Sequence, residues 1–106
     1  MQLNKEAASD HFQQILIGAQ NKQEDLILGR TEILKTEHAD SPYAVQASLL
    51  KAKVLVDNKD YQAAIDELSW AELTTDDQSL KQVAFIRKVK LLIQWKKRLL
   101  SSLISV

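Results

Sequence analysis

A two-residue polar break recurs in this chain at a fixed interval. Asn21-Lys22 returns as Asn58-Lys59, thirty-seven residues later. On each occasion the break separates two segments whose apolar residues follow helical spacing. A repeated helix–turn–helix unit of about 35 residues is typical of an α-solenoid, in which each unit is too thin to bury its own apolar face and stacks on its neighbours.

The composition favours helices along the whole chain. Only two glycines and one proline interrupt 106 residues, and leucine, alanine, lysine, glutamate and glutamine are strong helix formers. We predict an all-α single domain over residues 1–106, with about three helical hairpins stacked as a short right-handed α-solenoid. The five to six predicted helices cover Leu3–Gln20, Glu24–Glu37, Pro42–Asp57, Asp60–Leu73, Gln78–Gln94 and Trp95–Val106, the last as a sixth helix or a continuation of the fifth.

Local signals define the ends and faces of these helices. Ser41-Pro42 is a hydroxyl N-cap followed by proline at the first helical position. The third helix is apolar on a broad arc, which predicts that it lies between neighbours. Small residues at Gly29 and Ala64 predict two sites where helices cross closely, and Ser101 would be the third. The fourth helix carries one apolar stripe: Tyr61, Ala64, Ile65, Leu68 and Ala71.

These residues resemble a known repeat family. The pattern Tyr61-x-x-Ala64-x-x-x-Leu68-x-x-Ala71, preceded by Ala52-x-x-Leu55, is similar to the second-helix consensus of tetratricopeptide repeats. Asp76 stands where those repeats usually have a helix-breaking proline. Lys51 replaces a large apolar residue, which implies a looser contact there.

A narrower resemblance comes from the stretch 41–57, read together with Ala8-Ser9 and Phe12-Gln13. It is similar to the YfgM type of ancillary subunits of the bacterial Sec translocon, over about residues 5–94. The resemblance implies a periplasmic domain on the inner membrane whose partners are the Sec translocon, translocating clients and periplasmic chaperones. That family carries an N-terminal transmembrane anchor; here no apolar run is long enough to span a bilayer and no signal peptide is visible, so the chain as given is expected to be soluble.

The family's pattern fails near residue 95. The segment 95–106 reads WKKRLLSSLISV, where the family would have a turn and another Tyr-x-x-Ala helix. Arg98 occupies the tyrosine position. The third hairpin is therefore expected to be incomplete or atypical, through truncation or a shifted reading frame.

The resemblance also implies a binding groove. The first helix of each such repeat lines the concave face, and partner segments would bind there through apolar contacts, with lysines orienting them. The alternative is that neighbouring helices pack against these side chains or that solvent surrounds them. The seven side chains placed in the groove are Gln46, Leu49, Lys53, Val56, Val83, Ile86 and Lys90.

No residue pattern supports catalysis. The chain has no cysteine, which excludes thiolate metal sites and cysteine nucleophiles. His11 and His38 lack partners at a convincing metal-ligand spacing, and Asp76-Asp77 is better suited to capping the next helix. We therefore expect a non-enzymatic protein with no metal, no cofactor and no small-molecule substrate.

Charge is divided unevenly along the chain. Residues 1–77 carry seven basic and fourteen acidic side chains, whereas residues 78–106 carry seven basic ones and no acid. The competing hypothesis is a surface binder whose basic C-terminal helix contacts an anionic membrane, or nucleic acid, although that helix lacks the interleaved aromatic residues that nucleic acid favours. The same helix could instead cover the end of the solenoid or pair two molecules as a homodimer.

Overall fold

The computed structural model describes the backbone of residues 2–104 and the side chains of residues 7–103. The described residues form no strand, and the all-α prediction is confirmed. The predicted sixth helix is a continuation of the fifth, and Ser105 and Val106 lie outside the described residues. The five helices are α1 (Gln2–Gln20), α2 (Glu24–Glu37), α3 (Pro42–Asp57), α4 (Tyr61–Thr74) and α5 (Gln78–Ile104).

The two polar breaks adopt the same turn. Lys22 and Lys59 both have left-handed backbone, with φ of 56° and 63°. Each turn closes with one hydrogen bond of 2.8 Å, from Gln23 N–H to the Gly18 carbonyl and from Asp60 N–H to the Leu55 carbonyl. This six-to-one bond around a left-handed residue is the Schellman ending of a helix. The thirty-seven-residue repeat seen in the sequence is therefore a repeat of structure.

The third occurrence of the turn is missing, because α5 continues through it. Trp95 stands thirty-seven residues after Asn58, and its ring stacks on that of Tyr61 with the centroids 6.4 Å apart. The Arg98 guanidinium lies 5.7 Å from the centre of the same tyrosine ring and donates to its hydroxyl. These contacts hold the C-terminal half of α5 against the start of α4.

The helices pack as two hairpins followed by α5. α1 pairs with α2, and α3 pairs with α4, while α3 also contacts α1 and α2 and α4 also contacts α5. The predicted position of α3 between neighbours is thus confirmed. One core cluster joins α1, α2 and α3, and the other joins α3, α4 and α5. The second contains Val45, Leu49, Ala52, Ala64, Ile65, Leu68, Ala71, Ala84 and Leu91.

The close crossing predicted at Ala64 is consistent with its complete burial, but the one predicted at Gly29 is wrong. Gly29 is exposed, and an added Cβ would meet no atom within 4 Å. Gly29 precedes Ala64 by thirty-five residues, whereas the turns recur at thirty-seven. The true counterpart of Ala64 is Ile27, which is 3% exposed. Thr31 and Leu34, the counterparts of Leu68 and Ala71, are also buried.

Replacing Gly29 by alanine should therefore stabilise the protein. Glycine inside a helix costs about 0.5–1 kcal/mol relative to alanine, and here nothing obstructs the new methyl group. Urea unfolding followed by circular dichroism would measure the gain. Gly18→Ala is the matched control, because its Cβ would lie 3.2 Å from Leu26 Cδ2 and should bring a smaller gain or none. Destabilisation by Gly29→Ala would contradict this placement.

A charged cluster joins α2, α3 and α4. The Glu67 carboxylate is 2.8 Å from Lys35 Nζ and 3.2 Å from Lys51 Nζ, and it accepts a 2.8 Å hydrogen bond from the Ser48 hydroxyl. Lys51 also reaches Glu32 at 2.8 Å. The expected looser contact at Lys51 is therefore an ionic one.

The titration of two members of this cluster reflects these contacts. The hydrogen bond from Lys51 lowers the pKa of Glu32, although partial burial opposes this effect. Burial by itself would lower the pKa of Lys51, but the hydrogen bonds and charges of Glu32 and Glu67 raise it above its ordinary value. Both shifts favour the charged forms, so the ion pair persists at neutral pH.

Candidate protein-binding groove

A cleft of about 350 Å³ lies between α3 and α5, with α4 behind it. Its lining combines buried apolar residues with exposed cationic ones. Ala52, Leu68 and Leu91 are at most 5% exposed and belong to the core cluster of α3, α4 and α5. The nine lining residues are Leu49, Ala52, Lys53, Val56, Leu68, Arg87, Lys90, Leu91 and Gln94.

Three cations surround this apolar surface. Lys53, Arg87 and Lys90 are exposed, and none of the nine lining residues is acidic. Within residues 7–103, none of the three forms an ion pair or a side-chain hydrogen bond. The other lysines of the core region, Lys35, Lys51 and Lys88, each pair with a glutamate. The cleft therefore offers unpaired positive charge beside apolar surface, which suits a segment carrying both apolar and acidic side chains.

Four of the seven predicted groove residues line this cleft. Leu49, Lys53 and Val56 line its α3 side, and Lys90 lines its α5 side. The helical spacing of these residues on α3 places them on one face, as the resemblance implied.

The remaining three predicted residues lie elsewhere. Gln46 is half-buried and is not part of the lining, and Val83 is half-buried against the core cluster. Ile86 is 51% exposed and lies beside Phe85 in a separate depression of about 280 Å³. The resemblance assigns these residues by their position in the repeat, whereas α3 and α5 present different faces to the cleft.

Sequence reasoning missed five lining residues: Ala52, Leu68, Arg87, Leu91 and Gln94. A signal for part of this set was present, because Arg87, Lys90, Leu91 and Gln94 fall at three- and four-residue intervals on one helix face. Leu68 carried no such signal. It lies on the second helix of its hairpin, and only the gap between α3 and α5 exposes it to the cleft.

The two histidines lie near each other, His11 within α1 and His38 directly after α2. Their ring centres are 6.0 Å apart, and His11 Nδ1 accepts a 2.8 Å hydrogen bond from the Arg30 guanidinium. Burial lowers the pKa of His11, and the neighbouring Arg30 charge lowers it further. A neutral imidazole is the form that can accept this bond. The part of the chain that the structure describes contains no group of three or more side chains placed to hold a metal ion.

None of the described helices is both long enough and apolar enough to cross a membrane. Trp70 lies partly buried between the two core clusters, with the Lys35 ammonium 4.8 Å from its ring centre. Trp70 is therefore a partly covered edge of α4.

Comparison with known proteins identifies the family. The chain matches the family model of the tetratricopeptide repeat-like domain over residues 1–99. It belongs to the tetratricopeptide repeat-like family. Domains of this family are typically non-catalytic modules for protein–protein interaction, and protein partners are the class that the match supports. No curated protein and no solved structure gave a significant match.

Proposed function

We propose that this tetratricopeptide repeat-like chain is a non-enzymatic interaction module that binds segments of partner proteins in the cleft between α3 and α5. The observation that carries the proposal is the set of three cations, Lys53, Arg87 and Lys90, around an apolar surface; among the described side chains none of the three has an ion-pair partner. The cleft holds no acidic side chain of its own. A partner segment with alternating apolar and acidic residues could pack on the apolar lining and pair with the cations at the same time.

The narrower proposal concerns the biological setting. The resemblance of residues 41–57 to YfgM-type subunits supports a role beside the bacterial Sec translocon, on the periplasmic side of the inner membrane. Translocating clients and periplasmic chaperones would then supply the bound segments. Because clients vary in sequence, a cleft that recognises apolar character and charge suits them better than one with a fixed pattern of hydrogen bonds.

A charge-reversal experiment tests the cleft. The probes are two labelled twelve-residue peptides, one alternating leucine with aspartate and the other alternating leucine with lysine. We expect the acidic peptide to bind the unmodified chain more tightly, as measured by fluorescence anisotropy. Lys53→Glu combined with Arg87→Glu should weaken its binding at least about tenfold, since both charges then repel it.

The matched control reverses two charges outside the cleft. Lys22→Glu with Lys59→Glu changes the net charge equally but alters only the two turns, so binding of the acidic peptide should remain nearly unchanged. Equal losses in both double variants would show a general charge effect and contradict the proposal. Failure of the acidic peptide to bind the unmodified chain would also contradict it.

A further inference from the structure

The side of α5 that faces away from the other helices is apolar along much of its length. Phe85, Leu92 and Leu99 are spaced seven residues apart, and therefore recur every two turns on one face. The residues that pack α5 against the core, Ala84, Leu91 and Trp95, lie on a different face. The outer stripe consists of seven side chains that are 43–74% exposed: Phe85, Ile86, Leu92, Ile93, Leu99, Leu100 and Leu103.

Comparison of α5 with its equivalent in the preceding hairpin, α3, shows how a further helix would cover the outer stripe. α5 follows its N-cap Asp77 as α3 follows its N-cap Ser41, thirty-six residues earlier. On α3, Leu49 and Val56 belong to or pack against the core that α4 completes. Thirty-six or thirty-seven residues later stand Phe85-Ile86 and Leu92-Ile93 of the outer stripe. Within residues 2–104 no helix takes the place beside α5 that α4 takes beside α3.

Charge indicates which kind of helix could cover the outer stripe: the α5 of a second molecule or an acidic helix. The stretch 78–106 carries seven basic side chains and no acidic one, so the α5 of a second molecule would bring like charges together. Within this fold, lysines of the neighbouring helices form ion pairs with an acidic helix. That helix is α4, which contains Asp66, Glu67 and Glu72 and no basic residue. Lys35, Lys51 and Lys88 all pair with its glutamates.

We propose that the outer stripe of α5 is a docking site for an acidic amphipathic helix of a partner protein. The docked helix would occupy the place that α4 has in the preceding hairpin. Its apolar face would cover the stripe, and its carboxylates would meet lysines such as Lys96 and Lys97, which are exposed near the stripe. This surface is separate from the cleft between α3 and α5.

The chain itself provides a suitable probe. A labelled peptide of residues 60–77 contains the α4 helix, six acidic side chains and no basic one. We expect it to bind the intact 106-residue chain and to gain helicity on binding. The same peptide with its six carboxylates changed to amides should bind more weakly, and added salt should weaken the acidic form much more than the amide form.

Variants on the outer stripe locate the site. Leu92→Asn with Leu99→Asn should weaken binding of the acidic peptide at least about tenfold, because side chains at the centre of an interface dominate its affinity. Both leucines are about half exposed, so the fold should persist, which circular dichroism would verify. Leu73→Asn is the matched control, since Leu73 is 84% exposed on α4 and outside the stripe. Lys96→Gln with Lys97→Gln should reduce both the affinity and its salt dependence.

Three results would overturn the proposal. Light scattering that shows a dimer lost in the Leu92→Asn, Leu99→Asn variant would identify a second copy as the occupant. Tight binding of the chain to vesicles rich in phosphatidylglycerol, abolished by the same variant, with no peptide binding, would identify a membrane. Peptide binding that survives the stripe variant but is lost in Lys53→Glu with Arg87→Glu would assign the peptide to the cleft, leaving the proposed function intact.

Discussion

Replacing Glu67 by alanine is expected to lower the free energy of unfolding by about 3–5 kcal/mol, the usual loss when one partner is removed from a buried ion pair. The Glu67 side chain is 7% exposed, and those of Lys35 and Lys51 are 16% and 14% exposed. Without the carboxylate, the Lys35 ammonium loses its ion-pair partner and that of Lys51 keeps only Glu32, although both have little access to water. The buried Ser48 hydroxyl also loses one of its two acceptors.

Urea denaturation followed by circular dichroism would measure this loss. Asp66→Ala is the matched control, because Asp66 is adjacent in sequence and exposed, and its one side-chain hydrogen bond, from Gln62, is also exposed. That variant should change stability by less than about 0.5 kcal/mol. A similarly small change in the free energy of unfolding for Glu67→Ala would mean that water replaces the carboxylate easily. The charged cluster would then contribute little to stability.

Truncating Leu68 to alanine is expected to cost about 2–5 kcal/mol, as buried leucines generally do. Leu68 is 2% exposed and lies in the core cluster that joins α3, α4 and α5. The loss has two parts. The deleted methyl groups no longer contribute the free energy of their burial, and a cavity remains because the surrounding helices relax only partly. Because Leu68 also lines the cleft, the variant should enlarge it and weaken the binding of apolar segments.

The control for this prediction lies on the same helix. Leu73 is 84% exposed, so Leu73→Ala should shift the urea midpoint very little. Comparing the two variants separates the effect of core packing from the effect of changing leucine to alanine within α4. Equal midpoints would show that α4 is not held against α3 and α5 as the structure describes.

The helices and turns could be predicted because their signals are local. A cap, a proline at the first position or a left-handed residue acts within one turn of helix, so Ser41-Pro42 and the two Asn-Lys breaks indicate boundaries without knowledge of the rest. From residue 95 onwards, the sequence permits either a continuation of α5 or a separate sixth helix. Tertiary contacts accompany the continuation, since Trp95 and Arg98 both pack on Tyr61 of another helix.

The cleft could be predicted only in part. Leu49, Lys53 and Val56 share a face of α3 that follows from helical spacing, and all three line the cleft. The resemblance to tetratricopeptide repeats also implies a groove position for Ile86, but this half-exposed residue lies in a separate depression. α5 is apolar on two faces, and periodicity does not distinguish a face that packs against the core from one that remains exposed.

The amino-acid sequence alone is sufficient for the helical class, the thirty-seven-residue repeat and the division of charge between residues 1–77 and 78–106. Contacts between helices were needed to show that Gly29 is exposed, that Ile27 is buried at the position equivalent to Ala64, and that Glu67 lies between two lysines. Backbone conformation depends on neighbours within about one turn of helix, whereas burial and ion pairing depend on groups from other helices. Lys35 and Glu67 are thirty-two residues apart, and packing alone brings them to 2.8 Å.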